Sequence, residues 1–178
     1  MKQILFSCLA ICLSVAASAQ TYTFESGVPS NFSATNGTLT STTEHYKEAS
    51  RSLMWEANGV STLTISDLDF QMTSSSALYM QMYLPQVTND TLVFQFFYNG
   101  AVKREGRVLC NFRGWRELQR QYSQFGQGNN PYADKAVFTL HPASSGKRYI
   151  CFDNLKLKAS PDASYIPGCM WVLDYNYF

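Results

Sequence analysis

The amino-acid sequence predicts an all-β protein, one antiparallel sandwich or barrel with no helix in its mature part. Three observations point there. Runs that alternate apolar and polar residues recur roughly every ten to fifteen positions, punctuated by Gly, Asn, Pro and Ser. Aromatic residues make up 15% of the chain, a composition that suits pleated, half-buried surfaces. Between two of the runs stands Asn99-Gly100, a two-residue hairpin signal.

Before the first strand comes a processing signal. Lys2 precedes an apolar run over residues 4–16, too short to span a bilayer, and Ala17-Ser18-Ala19 is a small-residue cleavage site. A secreted or periplasmic protein beginning at Gln20 is expected, with no membrane span. Cys8 stands too early for a lipoprotein anchor, and Cys12 follows the bulky Ile11. The organisation predicted is residues 1–19 as signal peptide, 20–160 as the sandwich and 161–178 as the start of a linker. A domain of that size buries a core without disulfide staples.

The predicted strands span 22–25, 38–42, 52–57, 62–68, 77–84, 91–98, 101–110, 115–122, 136–141 and 148–157. The first ends on Glu25 and the last carries Asp153 within Cys151-Phe152-Asp153-Asn154. In 77–84, Leu78, Met80, Met82 and Leu84 share one face while Tyr79, Gln81 and Tyr83 share the other, so one face is core and the other functional or partly covered. The run 91–98 is almost uniformly apolar and belongs centrally in a sheet. Trp55 and Trp115 are expected in the core, and Trp171 at an interface with a following domain. Cys110, Cys151 and Cys169 are an odd set, so at most one bridge forms within a monomer. Cys110 with Cys151 is conceivable if their strands adjoin, and three buried thiols is the simpler expectation.

Two groups of residues suggest binding. If the opening and closing strands lie side by side, Glu25 and Asp153 meet, and with loop carbonyls near residues 47–50 they could hold a structural Ca2+. The competing expectation is a solvated Glu25 and an Asp153 paired with a Lys or Arg. Tyr79 and Tyr83 can stack on pyranose rings, or else form a second layer of core against a neighbouring domain. Between Lys103 and Arg120 the chain carries Arg104, Arg107 and Arg116 among six cations against two glutamates, a concentration suited to sulfates and carboxylates in a chain of net charge +1. Export and the lack of a reading motif argue against nucleic acid. His45 and His141 are the only histidines and read as ordinary polar residues, and no nucleophile elbow, zinc motif or phosphate loop occurs.

The succession Phe24-Glu25-Ser26-Gly27-Val28-Pro29, His45-Tyr46-Lys47, Ser50-Arg51-Ser52-Leu53-Met54-Trp55, Asn111-Phe112-Arg113-Gly114-Trp115-Arg116 and Cys151-Phe152-Asp153-Asn154-Leu155 resembles the N-terminal domain of chondroitin sulfate ABC lyase-type polysaccharide lyases. The resemblance runs over nearly all of the mature chain. It implies a jelly-roll β-sandwich like those of carbohydrate-binding modules, preceding a helical toroid that carries the chemistry. The expected role is therefore a non-catalytic accessory domain that orients an anionic polysaccharide, a glycosaminoglycan, and buttresses the catalytic domain of its own full-length enzyme. A purely structural docking domain is one alternative. A compact β-type lyase is another, and it needs a His-Tyr-Arg cluster on one face.

Overall fold

The computed structural model describes residues 20–125 and 129–160. In chain order the strands are β1 (Thr21–Tyr22), β2 (Phe32–Thr42), β3 (Ser52–Ile65), β4 (Phe70–Gln71), β5 (Ala77–Leu84), β6 (Asp90–Tyr98), β7 (Ala101–Cys110), β8 (Gly114–Gln121), β9 (Tyr132–Ala133), β10 (Lys135–His141) and β11 (Lys147–Ala159). All pairings are antiparallel. The sandwich arises from one long ribbon that serves both layers. The first half of β3 pairs with β11, its second half with β10, and β2 follows it along the opposite edge. The first layer is β2-β3-β11-β5-β8, with β1 continuing beside β11; the second is β2-β3-β10-β6-β7.

The ribbon turns its corner at a bulge between Thr35 and Gly37. Asn36 and Gly59 take positive φ there, and a Cβ on Gly37 would stand 2.3 Å from the Glu56 carbonyl oxygen. Only glycine permits that approach of backbone to backbone. Across the bend the Trp55 indole N–H donates to Ser61 Oγ at 3.2 Å, and Ser61 Oγ donates to the Thr35 carbonyl at 2.7 Å. This chain of bonds satisfies the polar edge of a fully buried Trp55. The expected break between residues 57 and 62 is therefore a bend within one continuous strand.

Strands 77–84 and 101–110 fall where the alternation places them, and Asn99-Gly100 forms the turn with φ of 51° and 75°. The opening strand stops at Tyr22 rather than reaching Glu25. Phe24 adopts φ 62° and packs into the core beside Tyr22 and Phe32, which lifts Glu25 out of the sheet. Tyr122 likewise leaves its strand for a 3-10 turn, Tyr122–Gln124, and its buried hydroxyl donates to the Leu157 carbonyl at 2.6 Å. The core between the layers is aromatic. Phe152 packs on Trp55 and Phe138, Phe138 on Phe94, and Phe96 on Tyr122 and Phe125. Cys110 and Cys151 are buried thiols with no bridge between them, and Cys169 lies outside the described residues, as do the signal and linker segments.

Candidate functional site

On β5 the side chains alternate as predicted. Leu78, Met80, Met82 and Leu84 are buried between the layers, while Tyr79, Gln81 and Tyr83 point to the outer side of the first layer. Residues directly opposite in an antiparallel pair share a face. The register therefore adds Gln119, Glu117 and Trp115 of β8, and Lys156, Asp153 and Cys151 of β11. Asp153 and Lys156 are three apart and would face opposite ways in a regular strand. A bulge between them, with Asn154 at φ 45°, brings both to the outer face.

Gln81 is nearly inaccessible, 2% exposed, although it faces outward. Its cover is the segment of residues 43–51, which leaves β2 and crosses the sheet before β3 begins. Two carboxylates fasten this segment. Asp153 Oδ2 accepts the backbone N–H groups of Lys47 and Glu48, both at 2.9 Å, and Oδ1 accepts Asn154 N–H at 2.7 Å. Glu25 Oε1 accepts the N–H groups of Ser50 and Arg51 at 3.2 and 2.9 Å, and Oε2 accepts the Ser50 hydroxyl at 2.7 Å. That hydroxyl bond lowers the Glu25 carboxyl below its ordinary value, ahead of an opposing effect of burial and further help from the Arg51 and Ser50 amides. Glu48 pins the segment from above, its Oε1 accepting from Gln81 Nε2 at 2.9 Å and Asn154 Nδ2 at 3.0 Å. The His45 ring stacks on Tyr83 at 4.3 Å, and Ser52 Oγ donates to the His45 carbonyl.

The result is a face with an aromatic end and a polar end. His45, Tyr83 and Trp115 form a stepped cluster, the latter two 5.4 Å apart. Tyr79 lies further along, with Lys156 Nζ 5.1 Å from its ring centroid and its hydroxyl 3.3 Å from Gln81 Nε2. Burial first, then the charge of Glu117, pushes the Tyr79 phenol up to about 12, with Glu48 adding in the same sense. Burial also pushes the Cys151 thiol beneath the segment up to about 11, so it is not a nucleophile near neutral pH. The expectation that Trp115 lies in the core is corrected: it stands half-buried on the outer face, because Leu118 and Arg120 take the buried positions of β8 and alternation puts Trp115 opposite Tyr83.

The predicted basic surface is not one surface. Arg104 lies on the side of β7 that carries Gly106 and Val108, is 8% exposed, and donates to the carbonyls of Lys103 and Asn129 at 2.9 Å each. Arg107 lies on the opposite side of β7, in the second layer, paired with Glu105 at 3.0 Å. Arg116 is exposed on the edge strand β8, on the side of Leu118, with its guanidinium 6.0 Å from the Phe112 ring centroid. Of the residues sequence reasoning named, the structure brings together Tyr79, Tyr83 and Asp153. Gln81 joins them as its parity on β5 predicts, and Glu48, Glu117 and Lys156 are additions. The parity of Trp115, Glu117 and Gln119 along one strand is the signal that would have found part of this set.

Glu25 and Asp153 do converge on one segment, from its two ends. Neither pairs with a Lys or Arg side chain among the described contacts; each is taken up mainly by backbone N–H groups. A carboxylate has about four acceptor positions, so roughly one remains on each for a cation. Among the described residues no group of three or more His, Cys, Asp or Glu side chains is placed to hold a metal. A Ca2+ with its about six to eight oxygens would draw the remainder from carbonyls and water.

The family model described as "Lyase, N terminal" matches residues 18–167. The chain belongs to the lyase N-terminal family. A chondroitin sulfate ABC exolyase of Proteus vulgaris is 24% identical to this lyase N-terminal domain over 156 residues, 84% of this chain but only 16% of that enzyme. In fold the domain is similar to a family 28 carbohydrate-binding module (TM-score 0.55, 14% identity, covering 78% of this chain and 93% of that one). It is equally similar to a family 11 module from Clostridium thermocellum (TM-score 0.55, 11% identity, 80% and 96% covered). Those likenesses establish the β-sandwich of carbohydrate-binding modules. Among the described residues no helix is long and apolar enough to cross a membrane.

Proposed function

We propose that this domain is a non-catalytic, polysaccharide-engaging part of a secreted glycosaminoglycan lyase, and that the outer face of its first layer takes the polymer. The observation that carries this reading is the stepped cluster of His45, Tyr83 and Trp115 continued by Tyr79, with hydrogen-bonding groups between them. Aromatic faces present apolar area to the C–H side of a pyranose, and carboxylates and amides fix its hydroxyls. Arg116 alternates with Trp115 on the edge strand, on the Leu118 side, and lies off this face. The sequence beyond residue 160 would lead to the catalytic domain that this one buttresses. The name of the Proteus vulgaris relative supports chondroitin sulfate as the polymer.

Calorimetric titration with chondroitin oligosaccharides tests the reading. Trp115→Ala should weaken binding by about tenfold, the equivalent of roughly 1.4 kcal/mol, within reach of a lost aromatic platform. Binding unchanged in Trp115→Ala would remove the face from the proposal. A structural Ca2+ held in part by Glu25 and Asp153 belongs to the same reading, because both acids grip the segment that covers the face. Thermal melts of the calcium-loaded and chelator-treated protein check it. The expected result is a melting temperature lower by several degrees without calcium and restored on its return. Identical melts would leave the segment held by hydrogen bonds alone.

A further inference from the structure

The closing strand β11 brings cations to the outer face of the first layer, where the arginines of β7 and β8 do not reach. Asp153 faces outward, so plain alternation would turn Lys156 inward, between the layers. A register shift between Asp153 and Lys156, with Asn154 at φ 45°, prevents this, and a second shift follows before Ala159. Leu155 and Leu157 go into the core instead, while Lys156 stands opposite Tyr79 and Lys158 is exposed beyond it. Bulges of this kind re-aim a side chain and recur beside functional surfaces.

Lys156 Nζ lies 5.1 Å from the centroid of the Tyr79 ring. Among the described residues its ammonium meets no carboxylate, and neither does that of Lys158. Acids of the adjoining row have other partners. Asp153 takes the N–H groups of Lys47, Glu48 and Asn154, and Glu48 takes the amides of Gln81 and Asn154. An ammonium carries three N–H donors, and a ring face beneath it does not use them up.

We propose that Lys156, supported by Lys158, is the group on this face that recognises the acid of the polymer, a uronate carboxylate or a sulfate ester. The inference rests on the reading of this face as the polysaccharide site. Both acids are oxyanions and accept from an ammonium alike. Tyr79 holds the cation in place beforehand, so less side-chain freedom is lost when it closes on an anion. Tyr83 and Tyr79 stand four residues apart on β5, about 13 Å at the rise of a strand. A polymer seated on the His45–Tyr83–Trp115 cluster therefore reaches Lys156 with its next units. Rings take the C–H faces of the sugars, and the lysines take the charge.

The test titrates the full chain with chondroitin sulfate and unsulfated chondroitin oligosaccharides of one length, at two ionic strengths. Lys156→Gln should weaken binding of the sulfated chain by about tenfold and flatten its salt dependence, because the lost contact is a charge pair. Lys158→Gln should act in the same direction by about threefold. Lys156→Arg keeps a cation over the ring and should stay within about threefold of the parent. Lys135→Gln, beside Phe97 on the outer side of the second layer, should change nothing. The unsulfated chain tells the two acids apart: it suffers the same loss in Lys156→Gln if the lysine reads the uronate, and none if it reads the sulfate. Binding of both chains unmoved by Lys156→Gln, alone or combined with Lys158→Gln, while Trp115→Ala still weakens it, overturns the inference and leaves the face a polysaccharide site. Binding of neither chain by the parent protein overturns the reading of the face itself.

Discussion

Asp153→Ala should destabilise the domain by about 3–5 kcal/mol, the range expected when a buried, fully hydrogen-bonded carboxylate network is broken. Asp153 is 1% exposed and accepts N–H groups from Lys47, Glu48 and Asn154. Removing it strands these donors and empties a volume beneath the segment of residues 43–51. The loss reaches beyond stability, since Glu48 and His45 sit on the same segment and are set over Gln81 and Tyr83 by it. The melting temperature should fall by roughly 10 °C or more. Where the variant stays folded, its affinity for oligosaccharide should fall with it. A shift of under about 2 °C would show that Glu25 and Glu48 hold the segment unaided.

A comparable loss is expected for Arg148→Ala, whose side chain lies on the inner side of β11 rather than on the Tyr79–Tyr83 face. Arg148 of β11 and Asp90 of β6 tie the first layer to the second, with Nε to Oδ2 at 2.6 Å and side chains 9% and 2% exposed. The guanidinium also donates to the carbonyl and hydroxyl of Ser144, both at 2.9 Å, and Asp90 takes the Ala143 N–H at 2.7 Å. Breaking a buried pair leaves an uncompensated charge, which costs about 3–5 kcal/mol. Replacing both partners removes the charge problem, so Asp90→Leu with Arg148→Met should recover most of the stability. Denaturant unfolding of the single and double variants measures both effects. A double variant as unstable as Arg148→Ala would mean that the pair contributes attraction well beyond cancelling its own burial. Oligosaccharide affinity should be unchanged in the folded double variant, because neither residue touches the Tyr79–Tyr83 face.

The strands were legible where period and turn chemistry agreed. Residues 77–84 alternate cleanly, and Asn99-Gly100 allows only a tight turn between β6 and β7. Elsewhere the chain departs from simple period. The Asn58-Gly59 pair reads as a break, yet Gly59 bends β3 from one layer to the other without ending it. The site was half legible. Tyr79 and Tyr83 follow from parity alone. Glu48, Gln81 and Glu117 become neighbours only through the β5–β8 register and a segment folded over the sheet, and neither is written locally in the sequence. The arginines teach the opposite lesson. Arg104 and Arg107 stand three apart in one strand, so alternation already sends them to opposite faces, and counting charge along the chain hid that. The sequence offers Glu25 and Asp153 as a pair of calcium ligands with loop carbonyls near residues 47–50. What they grip directly is backbone N–H, which sequence spacing does not reveal.

The central claim is that the outer face of the first layer engages polysaccharide. Backbone amide chemical shifts, followed through a titration with chondroitin sulfate oligosaccharide, test it most directly. The account predicts saturable shifts at Tyr79, Gln81, Tyr83, Trp115 and Glu117 and along residues 45–48, together with the Trp115 indole N–H. Shifts confined to the outer side of the second layer, around Val93, Arg107 and Val137, would contradict it.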